Sequence, residues 1–339
     1  MQKEKLMENS NFDINVIIPM YNKENSIANT ILSISCQRVS TNHNVHITIV
    51  NDASTDNSAQ VVKKLKETHS NLDLLEFSEN QGRSAARNLG FLAKKSDICI
   101  FIDADCTWQD NNTLSKFIEA FSQGAKACFG VVSGEATDFW GNYYSELNKN
   151  RALDPDNWSN ITTANFACRT DLLRQTGGFS ELYKHYGFED RDLLLSLRKC
   201  AKHKNEIMIA QNIVVINNDR PCLEEIITKM RDAGRFSSGI FKQRFSQAYQ
   251  TTPHSKIDIR DKSAILVKLF ACFIPFTKLL ISIMSYMFTL RIMNFTIKKY
   301  IVKLCSALSF SLGTYYAMLD QKNNDNPLKN KTSTHHLDN

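Results

Sequence analysis

The chain has 339 residues, of which 42% are hydrophobic and 22% charged; this composition supports a folded core and excludes a mainly disordered protein. The 41 Lys and Arg residues outnumber the 35 Asp and Glu residues, which gives a formal charge of +6. Residues 262–319 contain seven basic and no acidic residues, and the remainder of the chain holds 34 basic and 35 acidic residues. The excess positive charge therefore lies in residues 262–319. A spread basic surface typical of nucleic-acid binding is therefore absent from the sequence, and no nucleic-acid partner is expected.

Strand-like and helix-like segments alternate through residue 102. Apolar runs rich in β-branched residues predict strands at 13–19, 46–50, 72–77 and 98–102. Amphipathic spacing predicts helices at 25–36, 56–69 and 82–95. This order is typical of βαβ units in a largely parallel sheet, so an α/β fold is expected. Ligands of such sheets bind at the carboxyl ends of the strands, where polar residues 21–22, 51–52 and 103–105 fall.

The middle of the chain is less regular. The pattern predicts helices at 111–123, 170–176, 190–202 and 223–249, and strands at 127–133 and 207–216. Residues 143–161 are polar and are predicted to be rich in loops. The segment 138–163 also holds the aromatic residues Trp140, Tyr143, Tyr144 and Trp158, which suit either sugar stacking or a small core.

Two apolar stretches follow, at residues 263–290 and 300–319. Each is interrupted, the first by Pro275 and two lysines and the second by Lys303 and Gly313, so neither is a clean membrane span. Basic, acid-free apolar helices suit an anionic membrane surface. A helical hairpin packed on the main domain is the alternative.

The ends of the chain and its nine cysteines indicate the compartment. Residues 1–12 contain no apolar leader and are expected to be flexible, and the polar residues 320–339 are expected to form a disordered tail. The cysteines lack metal-binding spacing, which favours reduced thiols. We therefore expect a cytoplasmic protein that is peripheral to the membrane or shallowly inserted in it.

Two carboxylates, Asp103 and Asp105, directly follow the apolar strand predicted at 98–102. Carboxylates two positions apart at a strand end can face one hard divalent cation, with Mg²⁺ or Mn²⁺ held through oxygen ligands and a diphosphate supplying the rest. The same pair also occurs in ordinary solvated turns, so the surrounding motifs matter.

The surrounding motifs resemble those of family 2 glycosyltransferases with the GT-A fold. The matching segments are VIIPMYN at 16–22, IVNDASTDNS at 49–58, NQGRSAARNLG at 80–90 and FIDADC at 101–106. A further match, GGF followed by GFEDRDLLLSL, lies within 177–197, so the resemblance covers residues 13–220. It implies a GT-A nucleotide-sugar-binding domain there. The helical pattern predicts a helical connector at 221–261, and the apolar, acid-free composition predicts a membrane-associated helical segment at 262–319.

The resemblance implies a set of residues around a nucleotide-sugar donor. Asp52 matches the acid that bonds the uracil edge, Arg87 matches an arginine near the diphosphate, and Arg83 is either a helper or a solvated charge. Asn51 and Ala53 depart from the usual acid and glycine beside Asp52. The implied donor-binding set is Pro19, Tyr21, Asn22, Glu24, Asp52, Arg87, Asp103 and Ala104.

The resemblance also implies Asp105 as the main Mn²⁺ or Mg²⁺ ligand, with Asp103 contacting the ribose or the metal. Many relatives place a histidine after the next strand, but this chain has Asn218 and Asp219 there, as candidate third ligands or diphosphate contacts. Arg231 and Arg235 lie in a segment that borders the diphosphate or acceptor in membrane-linked relatives. A solvated basic helix face is the alternative for these two.

Glu189 and Asp190 match the acidic pair that precedes a helix in this family. Attack by a sugar hydroxyl on the anomeric carbon needs removal of a proton, so Asp190 is implied as the base and Glu189 as a residue orienting the acceptor. An acid at a first helical turn also favours the helix dipole without any catalytic role. Asp192 is expected to be a cap or network residue.

The sequence thus predicts an inverting, metal-dependent glycosyltransferase, with a UDP-sugar as donor and a glycan or lipid-linked saccharide as acceptor at the cytoplasmic membrane face. A transferase that makes polyprenyl-phosphate sugars is an alternative in the same fold. A non-catalytic nucleotide-sugar-binding protein is the alternative from another class, disfavoured because the metal and base motifs are both present.

Overall fold

The computed structural model describes residues 11–135, 137–152 and 161–324. Most of the predicted flexible N-terminus, most of the predicted tail, and Trp158 lie outside these residues. The chain divides into two compact units. Unit 1 runs to Lys184 and resumes over Glu189–Arg220, and unit 2 comprises His185–Phe188 and the chain from Pro221 onward.

Unit 1 is an α/β unit built on one eight-stranded sheet. Its strands are β1 (Asp13–Met20), β2 (Asn44–Asn51), β3 (Leu72–Glu76), β4 (Ile98–Ile102), β5 (Cys106–Trp108), β6 (Ala127–Ser133), β7 (Asn165–Arg169) and β8 (Ile207–Asn217). Its α-helices are α1 (Ile27–Ser35), α2 (Ser58–Lys66), α3 (Arg83–Ala93), α4 (Thr113–Ser122), α5 (Phe139–Ala152), α6 (Thr170–Gln175) and α7 (Glu189–Cys200).

The strand order is β3-β2-β1-β4-β7-β6-β8-β5. Strands β3, β2, β1 and β4 are mutually parallel, which confirms the parallel βαβ half. Beyond β4 the sheet is mixed, since β7 is antiparallel to both β4 and β6, β8 is parallel to β6, and β5 is antiparallel to β8. The carboxyl ends of β1, β2 and β4 therefore meet at one edge.

The strands read as unbroken apolar runs because the sheet is covered on both faces. Ile98, Ile100 and Ile102 of β4 point into one core, while Cys99 and Phe101 point into the other. Helix α3 packs so closely on the second face that a Cβ at Gly90 would lie 2.5 Å from Ile17 Cγ2. This close approach brings the start of α3 to the edge where the strands end.

The structure corrects one prediction in unit 1. The predicted loop at 143–161 is helical in its first part, because α5 extends from Phe139 to Ala152. The segment has no clear apolar stripe, and its aromatic rings pack on one another instead, with Trp140 and Tyr144 stacked at 6.2 Å between centroids. This pair has the i, i+4 spacing of a helix, but most of the segment is polar, so no apolar stripe marks it in the sequence.

Unit 2 is helical. Its α-helices are α8 (Leu223–Asp232), α9 (Ser238–Arg244), α10 (Ser246–Thr251), α11 (Pro253–Ile257), α12 (Ala264–Thr289) and α13 (Phe295–Asn324). A π-helical segment, Ala233–Ser237, joins α8 to α9. The predicted single helix at 223–249 is therefore wrong: it contains this π segment and breaks at Phe245, whose φ of −139° and ψ of 58° are not helical.

Glycines explain how α13 packs on the α8 region. A Cβ at Gly313 would lie 2.0 Å from the Arg231 carbonyl oxygen, and one at Gly234 would lie 2.3 Å from that of Phe310. These residues weaken the helical pattern in sequence, but they let the backbones approach. Helix α13 also continues to Asn324, past the predicted start of the tail at 320, and this packing lies in its second half.

The short segment at 185–188 belongs to unit 2 through Phe188. The Phe188 ring lies 5.2 Å from that of Phe241, 5.4 Å from that of His254 and 6.4 Å from that of Phe310, between centroids. Its backbone is left-handed, with φ of 72°. That conformation costs a non-glycine residue roughly 1–2 kcal/mol, so the aromatic packing holds the chain in a strained shape immediately before Glu189.

Candidate active site

The loop after β1 is fixed to the loop after β2. Asn22 has a left-handed backbone (φ 52°), accepts from the Thr55 N–H at 2.8 Å and donates its own N–H to Ser54 Oγ at 3.0 Å. The Glu24 carboxylate accepts from the Asn57 N–H at 2.9 Å. Tyr21 remains exposed, and Pro19 lies within β1. Of the predicted donor residues here, Tyr21 and Asn22 are thus the two that are exposed.

Asp52 joins β2 to the start of α3. Its two carboxylate oxygens accept from the Gln81 N–H at 2.7 Å and the Gly82 N–H at 2.9 Å. Gly82, with φ of 89°, ends the preceding loop in a conformation that favours glycine. The buried Asp52 therefore orders the loop that leads into α3, and a base edge would have to share an oxygen that already accepts a backbone bond.

Arg87 of α3 reaches the first carboxylate after β4. Its Nη2 donates to Asp103 Oδ1 at 2.8 Å, and its side chain is 2% exposed. Among the described residues, its Nε and Nη1 have no hydrogen-bond partner. Leaving buried donors unpaired costs free energy, so this guanidinium is arranged to receive a further acceptor.

Asp105, the second carboxylate, pairs with a residue that the sequence did not single out. Lys23 Nζ lies 2.6 Å from Asp105 Oδ2. Ala104, between the two acids, is buried, and its carbonyl oxygen accepts from Ser26 Oγ and Thr30 Oγ1 of the α1 region. Burial raises the pKa of Asp105, as does the neighbouring Asp103, while Lys23 opposes the rise.

The chain after β8 returns to the same place. The Asn218 N–H donates to the Asp105 carbonyl oxygen at 2.9 Å, and the Asn218 side-chain amide donates to Thr107 Oγ1 at 3.2 Å. Asp219 is close enough to act electrostatically on both Lys23 and Asp105. Both candidate third ligands therefore lie beside Asp105. Within the described ranges, however, no group of three His, Cys, Asp or Glu side chains converges on a metal position.

Helix α7 begins with the acidic pair. The Asp190 carboxylate accepts from Thr163 Oγ1, while Glu189, 3% exposed, pairs with Arg83 Nη1 at 3.2 Å. Arg83 is therefore not simply a solvated charge, and Glu189 is buried against it. Asp192 is a network residue, as predicted, since it accepts from the Tyr183 hydroxyl at 2.8 Å.

Asp190 has the chemistry of a base suited to neutral pH. Burial raises the pKa of Asp190 to about 6, with Glu189 adding to the rise and Arg87 opposing it. The electrostatic influence of Arg87 and Asp103 on Asp190 indicates that the α7 start faces the β4 edge. At pH 7 such a group is mostly ionised, yet it binds a proton more strongly than an ordinary aspartate.

Arg231 and Arg235 lie in unit 2. The Arg235 guanidinium forms two hydrogen bonds to the carboxylate of Asp320, at 2.8 and 3.1 Å. Arg231 lies at the crossing of α8 with α13, where its carbonyl oxygen faces Gly313.

Sequence reasoning missed Lys23, Thr163 and the pairing of Arg83. Lys23 stands between Asn22 and Glu24, so membership of the same loop was the available signal. Thr163 lies in a polar run just before β7, a strand that was not predicted. Both contacts join residues far apart in the chain, and no local pattern encodes such pairs.

The sequence of the chain is similar to that of known glycosyltransferases. Residues 15–177 match the family model described as glycosyl transferase family 2. An uncharacterized glycosyltransferase of Nostoc sp. is 36% identical over 108 residues, covering 32% of each protein. Glycosyltransferase GlyA of Streptococcus pneumoniae is 34% identical over 132 residues, covering 39% of this chain and 17% of GlyA. The matches thus span a third or less of these relatives' own lengths.

Solved structures share the fold over nearly the whole chain. A mannosyltransferase, PcManGT from Pyrobaculum calidifontis in complex with GDP-Man and Mn²⁺, has a TM-score of 0.56 and 16% identity, covering 93% of both chains. S. aureus TarS 1–349 in complex with UDP has a TM-score of 0.52 and 14% identity, covering 91% of this chain and 92% of that one. At these identities the likeness shows a GT-A-like fold.

Proposed function

We propose, from the premise that the domain at residues 15–177 belongs to glycosyl transferase family 2, that the protein transfers a sugar with inversion. The donor is a nucleotide diphosphate sugar, most simply a UDP-sugar, and the acceptor is a hydroxyl of a glycan or lipid-linked saccharide. The observation that carries the proposal is the meeting of three groups at one sheet edge. These are the buried Arg87 with two unpaired donors, the acid pair at 103–105, and Asp190 with its raised pKa.

The donor's diphosphate would meet Arg87. Its unpaired Nε and Nη1 are charge-assisted donors, and a phosphate oxygen is a strong acceptor for them. Tyr21 offers an exposed ring beside the same edge, and Asn22 and Asp52 order the loops that would border the nucleotide. Glu24 supports that loop through Asn57. Donor binding is thus assigned to the β1, β2 and β4 ends and the start of α3.

The oxygen ligands at this edge fit a divalent cation. Asp105 and Asp103 present carboxylates two positions apart, and Lys23 already places one positive charge on Asp105. Asp105, with Asp103 beside it, would hold Mn²⁺ or Mg²⁺, and diphosphate oxygens would complete the shell, since the described residues supply no third carboxylate in position. When bound, the ion supplies positive charge that stabilises the leaving diphosphate.

Asp190 would carry out the proton transfer. As the acceptor oxygen forms its bond to the anomeric carbon, the bond from that carbon to the diphosphate oxygen breaks, and the acceptor proton moves to the Asp190 carboxylate. Attack from the face opposite the leaving group inverts the anomeric centre. Thr163, by donating to Asp190, keeps the carboxylate oriented, and Glu189 is assigned to holding Arg83.

The acceptor side is assigned to a membrane surface. Helix α12 is long and apolar enough to cross a membrane by length and composition, a weak indication on its own. Its large side chains are mostly exposed, including Leu266, Phe273, Phe276 and Tyr286. Exposed apolar side chains of this extent favour a lipid contact, and the lysines of residues 262–303 suit anionic headgroups.

The exposed α12 face also supports a second candidate, transfer to a polyprenyl phosphate. Such an acceptor would leave the glycosylated product soluble in organic solvent, whereas a polysaccharide product would stay in water. Extraction of radiolabelled product into chloroform–methanol therefore separates the two. Product in the aqueous phase alone would rule out the polyprenyl candidate.

The test of the main proposal is a donor panel. Calorimetry with Mn²⁺ would compare UDP-, GDP- and dTDP-sugars, because solved proteins of this fold were captured with either UDP or GDP-Man. We expect UDP-sugars to bind most tightly, and Asp190→Asn to bind them equally well while transferring at least a hundredfold more slowly. Absence of binding by all donors, or unimpaired transfer by Asp190→Asn, would contradict the proposal.

A further inference from the structure

Lys23 is held in place as part of the acidic edge. Its Nζ lies 2.6 Å from Asp105 Oδ2, and its side chain is 28% exposed. Its backbone N–H donates to Ser58 Oγ at 2.7 Å, and its carbonyl oxygen accepts from the Ser26 and Ile27 N–H groups at the start of α1. The backbone of Lys23 is therefore fixed, while its four-carbon side chain remains able to turn.

Lys23 lies among more negative side chains than positive ones. Arg87 is committed to Asp103 through its Nη2. Lys23 is paired with Asp105, and Asp103 and Asp219 both act on it electrostatically. The Lys23 ammonium is thus paired with one carboxylate and lies within electrostatic range of two others. Without that ammonium, Asp105 would lie beside two like charges in a partly buried position, an arrangement that is strongly unfavourable.

The position of Nζ is incompatible with a metal ion on the same oxygen. A divalent cation binds carboxylate oxygen at roughly 2.0–2.2 Å, and an ammonium 2.6 Å from that oxygen occupies the same space and would be repelled. Lysine, unlike arginine, is a compact point charge on a flexible stem and makes no bidentate contact here. It can therefore leave the carboxylate without breaking a second bond.

Resting on the proposed function, we propose that Lys23 is an exchangeable counter-ion: it neutralises Asp105 while the metal is absent, leaves Asp105 when a divalent cation binds, and then donates to the diphosphate of the donor. The exchange keeps the charge at the edge nearly balanced before and after the metal and diphosphate arrive together. It also discourages metal binding in the absence of nucleotide.

The first test measures Mn²⁺ binding to the full chain without nucleotide, by electron paramagnetic resonance of free Mn²⁺. Lys23→Met removes the competing charge, so we expect it to bind Mn²⁺ about tenfold more tightly than the wild type. Lys23→Arg retains the charge and can pair with both oxygens of Asp105, so it should bind Mn²⁺ no more tightly than the wild type. The matched control is Lys116→Met, because Lys116 forms the same kind of ion pair, 2.6 Å from Asp110 Oδ2 and 26% exposed, but its partner is not one of the acid pair.

The second test measures UDP binding by calorimetry at saturating Mn²⁺. Loss of the ammonium should weaken UDP binding about tenfold in Lys23→Met, with no change in Lys116→Met. Circular dichroism on all variants checks that they fold. The opposite signs of the two effects exclude a merely structural role for Lys23, since a damaged site would weaken both ligands.

The outcomes separate this inference from the proposed function. Mn²⁺ affinity that is unchanged or weaker in Lys23→Met would overturn the exchange. Unchanged UDP affinity in Lys23→Met would overturn the diphosphate contact. In both cases the proposed function would stand, provided that the wild type binds donor and metal. A wild-type chain that binds no Mn²⁺ even with UDP present would overturn both the metal-dependent function and this inference.

Discussion

At the scale of single residues, the environment of Asp190 has a measurable consequence for pH dependence. Burial raises its pKa to about 6, with Glu189 adding to the rise. If Asp190 must be ionised to accept a proton, kcat/KM falls as the pH drops through about 6, tenfold per unit. A pH–rate profile between 5 and 8, with fixed Mn²⁺ and donor, checks this. A flat profile across pH 6 would contradict the assignment of Asp190 as base.

Thr163 provides a sharper form of that prediction. Its hydroxyl donates to the Asp190 carboxylate, which favours the ionised form. Thr163→Val removes the donor with little change of volume, so the acid limb should move upward by about one pH unit. Thr163→Ser, which keeps the hydroxyl, is the control and should restore the wild-type profile. A limb that stays in place in Thr163→Val would show that the contact does not tune the base.

The same shift has a consequence for stability. Because folding raises the pKa of Asp190 above its value in the unfolded chain, its contribution is fully present below about pH 4 and is lost as the pH rises through about 6. Asp190→Asn avoids the cost of ionising the buried group, about 3 kcal/mol at most. Thermal unfolding should therefore show the variant more stable than the wild type at pH 8 but not at pH 4. Equal differences at both pH values would contradict the raised pKa.

The position of a residue in the fold could be predicted from the sequence where a motif specifies both the residue and the element beside it. The acid pair Asp103 and Asp105 does follow a buried strand, and Arg87 does lie beside it. The partners Lys23, Thr163 and Arg83 could not be read from the sequence, because each is set by contacts between distant segments. A single-residue pattern carries no information about which charge faces which.

At the scale of elements, the sheet was predictable because its strands are buried on both faces. Strands β4 and β6 have the predicted bounds, since each is an uninterrupted apolar run. The short β5 and β7 were missed, and α5 was missed because its aromatic residues lie in a mostly polar segment without an apolar stripe. Tertiary contacts, rather than local preference, define these elements.

The crossing of α13 with α8 gives an element-scale prediction. A Cβ at Gly313 would meet the Arg231 carbonyl oxygen at 2.0 Å, so Gly313→Ala forces the backbones apart. We expect a loss of about 1–3 kcal/mol of unfolding free energy, although alanine is the better helix former. The matched control is Gly239→Ala, where the nearest atom, at 2.9 Å, is the movable Arg260 Nη1. Unfolding followed by circular dichroism compares them; equal stabilities would contradict the close packing.

At the scale of the whole molecule, the exposed face of α12 predicts lipid binding. Phe273 and Phe276 are 59% and 60% exposed, so replacing both with serine should weaken binding to anionic vesicles at least tenfold. Leu92→Ser, at a 69% exposed position in α3, is the control and should bind like the wild type. Flotation with anionic and neutral vesicles measures the effect. Unchanged flotation of the double variant would contradict a membrane role for this face.

Point variants suit this question better than deletion. Helix α13 packs against α8, and Ile259 donates its N–H to Thr314 Oγ1 of α13 at 3.1 Å. A chain cut near Asp261 would therefore lose α13, against which remaining helices of unit 2, such as α8, pack. Loss of vesicle binding after such a cut would report unfolding of the unit as readily as loss of the lipid-binding face.

The packing of Phe188 also has a consequence for the order of events during synthesis. The ring contacts Phe310, which leaves the ribosome 122 residues later (310 minus 188), about ten seconds at ordinary elongation rates. Strand β4, Asp103 and Asp105 can settle long before then. A nascent chain stalled short of Phe310 can therefore hold a finished β4 edge while Phe188 still lacks one of its ring contacts.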